Sequence, residues 1–230
     1  MVIIMNSLDS IKRHVKLMVF LQKYGEGYGE ELASIIKSEY KYYLRNLRFA
    51  SVYFYQIFSY LDFFKDNKDV YRALLGKLQD YFSLESKILE IGCGSIPAFA
   101  RLIDEEQQSL GSGTITACDD ALITDSLGNI ELYKKKLTDE DVSRFDLLVS
   151  TFSCNATDKV LAVARENKLP YFMHLCSCNH GFSSMTDWHN NIYHQAKMDL
   201  DPGAVLDLDS VNLAGKSFDY PILIKTYRGR

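Results

Sequence analysis

The run Lys87-Ile-Leu-Glu-Ile-Gly-Cys-Gly-Ser-Ile-Pro97 decides the architecture. A short β-branched stretch ends in an acid, Glu90, passes into Gly92 and Gly94, and meets a proline where the next apolar pattern opens. Glycines let the backbone turn sharply and let a ligand approach it closely. The helix that follows offers free N–H groups and a partial positive charge at its first turn. Pro97 suits that turn, where a missing N–H costs nothing. A strand–glycine–helix junction also occurs as a plain βα loop. Here it begins an alternating pattern and is followed by an acid after the next strand, which favours a binding turn.

Downstream, strands are expected at Thr114-Ile-Thr-Ala-Cys118, Ile130–Tyr133, Phe145–Ser150 and Tyr171–Cys176. Helical stretches over Pro97–Gln108, Asn155–Asn167 and about Ser184–Lys197 separate some of them. Strands alternating with helices predict βαβ units and a parallel sheet. Ala204–Leu208 and Pro221–Tyr227 have no helical pattern between them and predict an antiparallel pair at the sheet edge. Upstream, residues 1–85 contain no proline and most of the Phe, Tyr and Trp residues. Apolar spacings of three and four there predict helices over about 7–23, 30–48, 51–64 and 69–82. Val70, Leu74, Leu75, Leu78 and Tyr81 form the inward stripe of the last. The division is therefore 1–85, a helical cap or dimerisation domain, and 86–230, an α/β domain.

The chain has 230 residues with Lys+Arg 26 against Asp+Glu 30, a net charge of −4. The acidic balance argues against a non-specific nucleic-acid binder, which needs a basic face. Hydrophobic residues at 47% fit a globular chain. No apolar run reaches the ~18 residues of a membrane span. The start, MVIIMNSLDSIKRHVK, lacks the pattern of a signal peptide, and the expected location is cytoplasmic. The five cysteines, Cys93, Cys118, Cys154, Cys176 and Cys178, are expected as buried reduced thiols.

The glycine segment resembles motif I of class I S-adenosylmethionine (SAM)-dependent methyltransferases, apolar-apolar-Glu/Asp-apolar-Gly-x-Gly-x-Gly. Ile88, Leu89, Glu90, Ile91, Gly92, Cys93 and Gly94 match, and Ile96 replaces the third glycine. The resemblance implies a Rossmann-like, seven-stranded, mostly parallel sheet with SAM as cofactor. It places Glu90, Gly92, Cys93, Gly94 and Pro97 at the cofactor. In the family an acid after the second strand holds the ribose hydroxyls. Asp119 and Asp120 are the candidates, Asp119 preferred as the first beyond the strand, because a carboxylate accepts two bonds from a diol. Both are also ordinary turn openers. Thr138 and Asp139, in the charged loop Leu137–Asp141, fall where the family places a residue beside the adenine. Ser150, Thr151 and Phe152, at the end of the fourth strand, fall under the methionine part of the cofactor and face the acceptor, and Asn155 is a candidate cap for the next helix.

The chain departs from the family in two places. It lacks the Asn/Asp-Pro-Pro-Tyr/Phe motif of members that methylate amides or exocyclic amines. Only 10 residues separate Asp119 from Ile130, so the helix usually found there must be short or lost. A narrower resemblance is to nicotianamine synthases, which place a helical domain before a SAM-binding domain and carry Gly-x-Gly-Pro-Leu-Pro. Gly92, Gly94 and Pro97 match it, and it implies transfer of the aminocarboxypropyl group of SAM.

Cys176-Ser-Cys178-Asn-His180 with His174 lacks zinc spacing, so thiols packed at the end of the fifth strand are expected rather than a metal site. His189 and His194, near Trp188 and Tyr193, either shape an acceptor pocket or pack. Tyr24, Tyr28 and His189 are the suspects for a base, and no catalytic residue is assigned. Three functions stay open: methyl transfer to a small-molecule acceptor, aminocarboxypropyl transfer, and a non-catalytic SAM-fold interaction protein. A homodimer through the helices fits any of them.

Overall fold

The computed structural model describes residues 70–94, 97–122, 127–135, 142–152, 156–176, 181–211 and 220–227. All of them lie in Phe63–Arg230, one of the chain's two compact units. The helices expected over about 7–23, 30–48 and 51–64, with Tyr24 and Tyr28, lie outside the described residues, as do Thr138, Asp139, Asn155, Cys154, Cys178 and His180.

The sheet has seven strands. They are β1 Lys87–Ile91, β2 Thr114–Cys118, β3 Glu131–Tyr133, β4 Leu147–Ser150, β5 Tyr171–His174, β6 Ala204–Val211 and β7 Tyr220–Tyr227. Their spatial order is β3-β2-β1-β4-β5-β7-β6. β1 pairs in parallel with β2 and β4, β2 with β3, and β4 with β5. β7 runs antiparallel between β5 and β6. This mixed sheet is the methyltransferase fold. The expected antiparallel pair is present at the edge, with β7 as its inner member.

The sequence explains why the centre is parallel. β4 and β5 are buried throughout, and β1 and β2 are buried after their first residue. Such near-continuous apolar strands need cover on both faces. A helix α1 over residues 70–81, α2 Ala98–Leu110, α3 Thr157–Glu166 and α4 Met185–Met198 are the described helices. α1 buries Val70, Tyr71, Leu74, Leu75 and Leu78. Full burial of each such apolar side chain stabilises by roughly 1.5–3 kcal/mol. The helix that composition groups with the N-terminal part thus packs within the unit that carries the sheet. Tyr81, expected inward, is half-exposed and donates its hydroxyl to Asp209 of β6 at 2.8 Å.

No helix joins β2 to β3 among the described residues. An isolated bridge, Leu127 to Ile130, closes the turn before β3. The buried Asp104 of α2 holds it, accepting Gln108 Nε2 at 2.6 Å and the Asn129 N–H at 3.5 Å. Gly128 is required beside it: a Cβ there would lie 2.9 Å from Asp104 Oδ2, and its φ is +57°.

Candidate functional site

In an open α/β sheet ligands bind beyond the carboxyl ends of the strands, where the strand order reverses. Here the reversal falls between β1 and β4. The segments that leave those two strands are Gly92–Gly94 and Thr151–Phe152, both singled out by the sequence.

The glycine turn is held from β2. Gly92 N–H donates to Cys118 O at 2.9 Å, and Gly94 N–H donates to Asp119 Oδ2 at 2.8 Å. Asp119 Oδ1 accepts the Ala121 N–H at 2.8 Å. Gly92 and Gly94 have φ of 72° and 75°, the left-handed region that favours glycine. A Cβ built on Gly94 meets nothing within 4 Å, so open space lies over the turn. Asp119 is only half-buried. Each of its oxygens keeps a lone pair beyond the bond it accepts. Those lone pairs are the two acceptors that the hydroxyls of a vicinal diol beside a glycine turn require. Asp120 is exposed one residue further on.

Glu90 plays a different part from Asp119. It is 1% exposed. Its Oε2 accepts the Ala100 N–H at 2.9 Å, and its Oε1 accepts Thr151 Oγ1–H at 3.0 Å. Pro97 is the N-cap of α2, one position before the first helical residue, and gives no side-chain cap. Glu90 therefore caps α2 from the strand below, satisfying an N–H that the first turn leaves open. Burial pushes its carboxyl up to about 7, against the downward pull of the Thr151 and Ala100 hydrogen bonds. Cys93 is buried, and burial pushes its thiol well above the usual range. Cys118 and Cys176 are likewise buried reduced thiols.

The end of β4 is tied to the same place. Ser150 is fully buried and donates Oγ–H to Ile91 O at 3.0 Å. Phe152 follows with φ 54°. A bulky residue in that region carries strain of order 1–3 kcal/mol, which the surroundings must hold. They do so with rings: Tyr71 meets Phe152 edge-on at 5.4 Å, and His174 lies at 4.2 Å from it. His174 is 2% exposed, and burial with the neighbouring His189 holds its imidazole down at about 3, neutral at physiological pH. His189 is half-buried, with Nε2 at 2.9 Å from Cys176 O. His194 is exposed against Tyr193 at 6.0 Å.

The structure thus gathers Glu90, Gly92, Cys93, Gly94, Pro97, Asp119, Ser150, Thr151 and Phe152 around one reversal point. Within that set only Asp119, the glycines and Phe152 are not buried; Glu90, Ser150 and Thr151 serve as its frame. Sequence reasoning missed Tyr71. Its signal was present, because Tyr71, Leu75 and Leu78 share one helical stripe.

No family model and no curated protein matches the chain. Solved structures do. A precorrin-6y C5,15-methyltransferase from Geobacter metallireducens GS-15 is 14% identical with a TM-score of 0.43, covering 68% of this chain and 85% of that one. An O-methyltransferase from Bacillus cereus, solved in complex with SAH, is 9% identical with a TM-score of 0.44, covering 70% and 81%. A nicotianamine synthase is 13% identical with a TM-score of 0.36, covering 76% and 62%. These are likenesses only; the fold assignment rests on the strand order of this chain.

Proposed function

We propose that this chain binds SAM across Gly92, Gly94 and Asp119 and transfers its methyl group to a small-molecule acceptor. One observation carries the proposal: the half-buried Asp119 carboxylate closes the glycine turn at Gly94 N–H, with open space above it. The methyltransferase-type strand order supports it.

In this reading the Gly92–Gly94 backbone lies against the cofactor, and Asp119, with Asp120 beside it, accepts the ribose hydroxyls. Phe152 forms the floor between cofactor and acceptor, held in its strained backbone by Tyr71 and His174. SAM, when bound, supplies an electrophilic methyl whose sulfonium leaves as a neutral thioether. The chain then has only to align the two partners and keep water out, which is where positioning lowers a barrier most. The buried Ser150, Thr151 and His174 provide the dry side of that site.

The test is ligand-induced stabilisation followed by product analysis. SAM and S-adenosylhomocysteine are expected to raise the melting temperature. With an acceptor found by screening, S-adenosylhomocysteine is the expected product. Methylthioadenosine instead would assign aminocarboxypropyl transfer. No stabilisation by either ligand would overturn the proposal and favour an interaction protein on this fold.

A further inference from the structure

Two histidines, His174 and His189, stand at the carboxyl end of β5 in different settings. β5 and β6 both run antiparallel to β7, so they are parallel to each other and α4 is the crossover between them. The first turns of α4 therefore lie at the carboxyl edge of the sheet, the edge that carries Gly92, Gly94 and Phe152. His189 is the fifth residue of α4. Its Nε2 lies 2.9 Å from Cys176 O, two residues beyond the end of β5. A carbonyl oxygen only accepts, so Nε2 carries the hydrogen, and in the neutral ring Nδ1 keeps a lone pair. Among the described residues no hydrogen bond uses that lone pair.

Other groups at this edge are already engaged. His174 is 2% exposed, with its ring 4.2 Å from that of Phe152. Glu90 caps α2, and Asp119 holds the Gly94 and Ala121 N–H groups. Cys93 and Cys176 are buried. Asp187 is taken up by the start of α4, accepting Ser184 Oγ–H at 2.9 Å. His189 is half-buried, so a ligand can reach it, and the buried Trp188 ring stands 5.1 Å from its own.

We propose that His189 is the base that takes the proton of an aromatic hydroxyl acceptor as its oxygen attacks the methyl group of SAM. The methyl half rests on the SAM reading; proton transfer from a bound phenol does not. The O–H proton passes to Nδ1. The oxygen's electron pair forms the new C–O bond, and the bond from sulfur to the methyl group breaks with its pair on sulfur. A neutral thioether and an imidazolium remain, and the imidazolium returns its proton to water after product release.

The chemistry selects the hydroxyl. A phenol holds its proton to about pH 10, and water to about 15.7. An imidazole exchanges protons near neutrality, which suits it as a base for a phenol and leaves it too weak for an aliphatic alcohol. The rings gathered at this point, Phe152, His174 and Trp188, favour a flat aromatic acceptor, which packs edge-on or offset against them.

The experiment adds two chromogenic phenols, para-nitrophenol and umbelliferone, to the full chain without cofactor, at a pH where most of the free probe is protonated. Absorbance reads the phenolate. Wild type should raise the phenolate fraction of the bound probe several-fold, and His189→Gln should bind the probe without raising it. The glutamine keeps an N–H for Cys176 O, so a merely structural His189 would leave the phenolate signal unchanged by this substitution. His189→Asn carries the test if His189→Gln does not fold. Initial rates with SAM are the second readout: kcat should fall by about 10²–10⁴ in the variant, with KM for the phenol near wild type. Nitrogen NMR of wild type should show His189 as the Nε2–H tautomer. The Nδ1–H tautomer, a phenolate fraction that wild type does not raise, or one that the variant raises equally, overturns the inference. Calorimetry with SAM on the same protein separates the two readings. SAM binding without a raised phenolate overturns the base and leaves the SAM reading standing. A raised phenolate without SAM binding overturns the SAM reading and leaves the base standing.

Discussion

Asp119 Oδ2 accepts the backbone N–H of Gly94 at 2.8 Å, across 25 residues of chain. One carboxylate thereby fixes the shape of the glycine turn and presents its remaining lone pairs to the space above. Asp119→Ala removes that bond and the one to Ala121. We expect a loss of about 1–3 kcal/mol in unfolding free energy, and a fall in SAM affinity of at least tenfold. Asp119→Asn, which keeps one acceptor, should lie between. Equal affinity in wild type and Asp119→Ala, both folded, would remove Asp119 from the site.

Two glycines separate a binding role from a folding role. At Gly94 a Cβ meets nothing within 4 Å, so Gly94→Ala costs only the strain of φ +75°, about 1–2 kcal/mol. It puts a methyl group into the space assigned to the ligand, and SAM affinity should fall although the protein stays folded. At Gly113 a Cβ would lie 2.3 Å from Leu84 O, so Gly113→Ala should destabilise by several kcal/mol. Paired urea melts and SAM titrations check both. Unimpaired SAM binding by Gly94→Ala contradicts the placement of the ligand.

Glu90 and His174 should bend the pH–stability curve in opposite directions. Glu90 rises from 4.5 unfolded to about 7 folded, so the folded state holds more protons and stability falls as pH rises between those values. His174 drops from 6.5 to about 3, so the unfolded state holds more protons and stability rises with pH across that span. Between pH 4.5 and 6.5 the two slopes oppose. Glu90→Gln should leave the rising slope, and His174→Asn the falling one, each by a few kcal/mol. Identical slopes in both variants would contradict the assignment.

α1 lies in the same compact unit as the sheet, and we expect the two to unfold together. Leu78 is fully buried, and Leu78→Ala should cost about 2–5 kcal/mol. Trp188, the single tryptophan and itself buried on α4, reports unfolding of the same unit. Its fluorescence transition in urea should move to lower denaturant in Leu78→Ala. An unmoved transition would mean that α1 folds apart from the sheet.

What could be read from the sequence was mostly local. β2 spans Thr114–Cys118 as expected, because β-branched residues between a glycine and two aspartates leave little choice of boundary. The glycine turn followed from Gly92 and Gly94 alone. The fourth strand was expected from Phe145, but Phe145 N–H bonds Val142 O in a turn and the strand starts at Leu147. What was not legible lies in long separations. The partner of Glu90, Thr151, is 61 residues away, and no spacing rule connects them. The insertion of β7 beside β5 depends on register across the sheet, His174 opposite Ile222, rather than on either strand's own pattern. Tyr71 was missed for the same reason: it lay outside the expected inward stripe, and only the fold showed it buried against Phe99 and Phe152.

The most direct test is calorimetric titration of the full chain with SAM, wild type beside Asp119→Ala. The account predicts saturable, micromolar binding by wild type and its loss in the variant at unchanged fold. No heat with wild type, at concentrations where a micromolar ligand saturates, would contradict it and reduce the glycine turn to a structural loop.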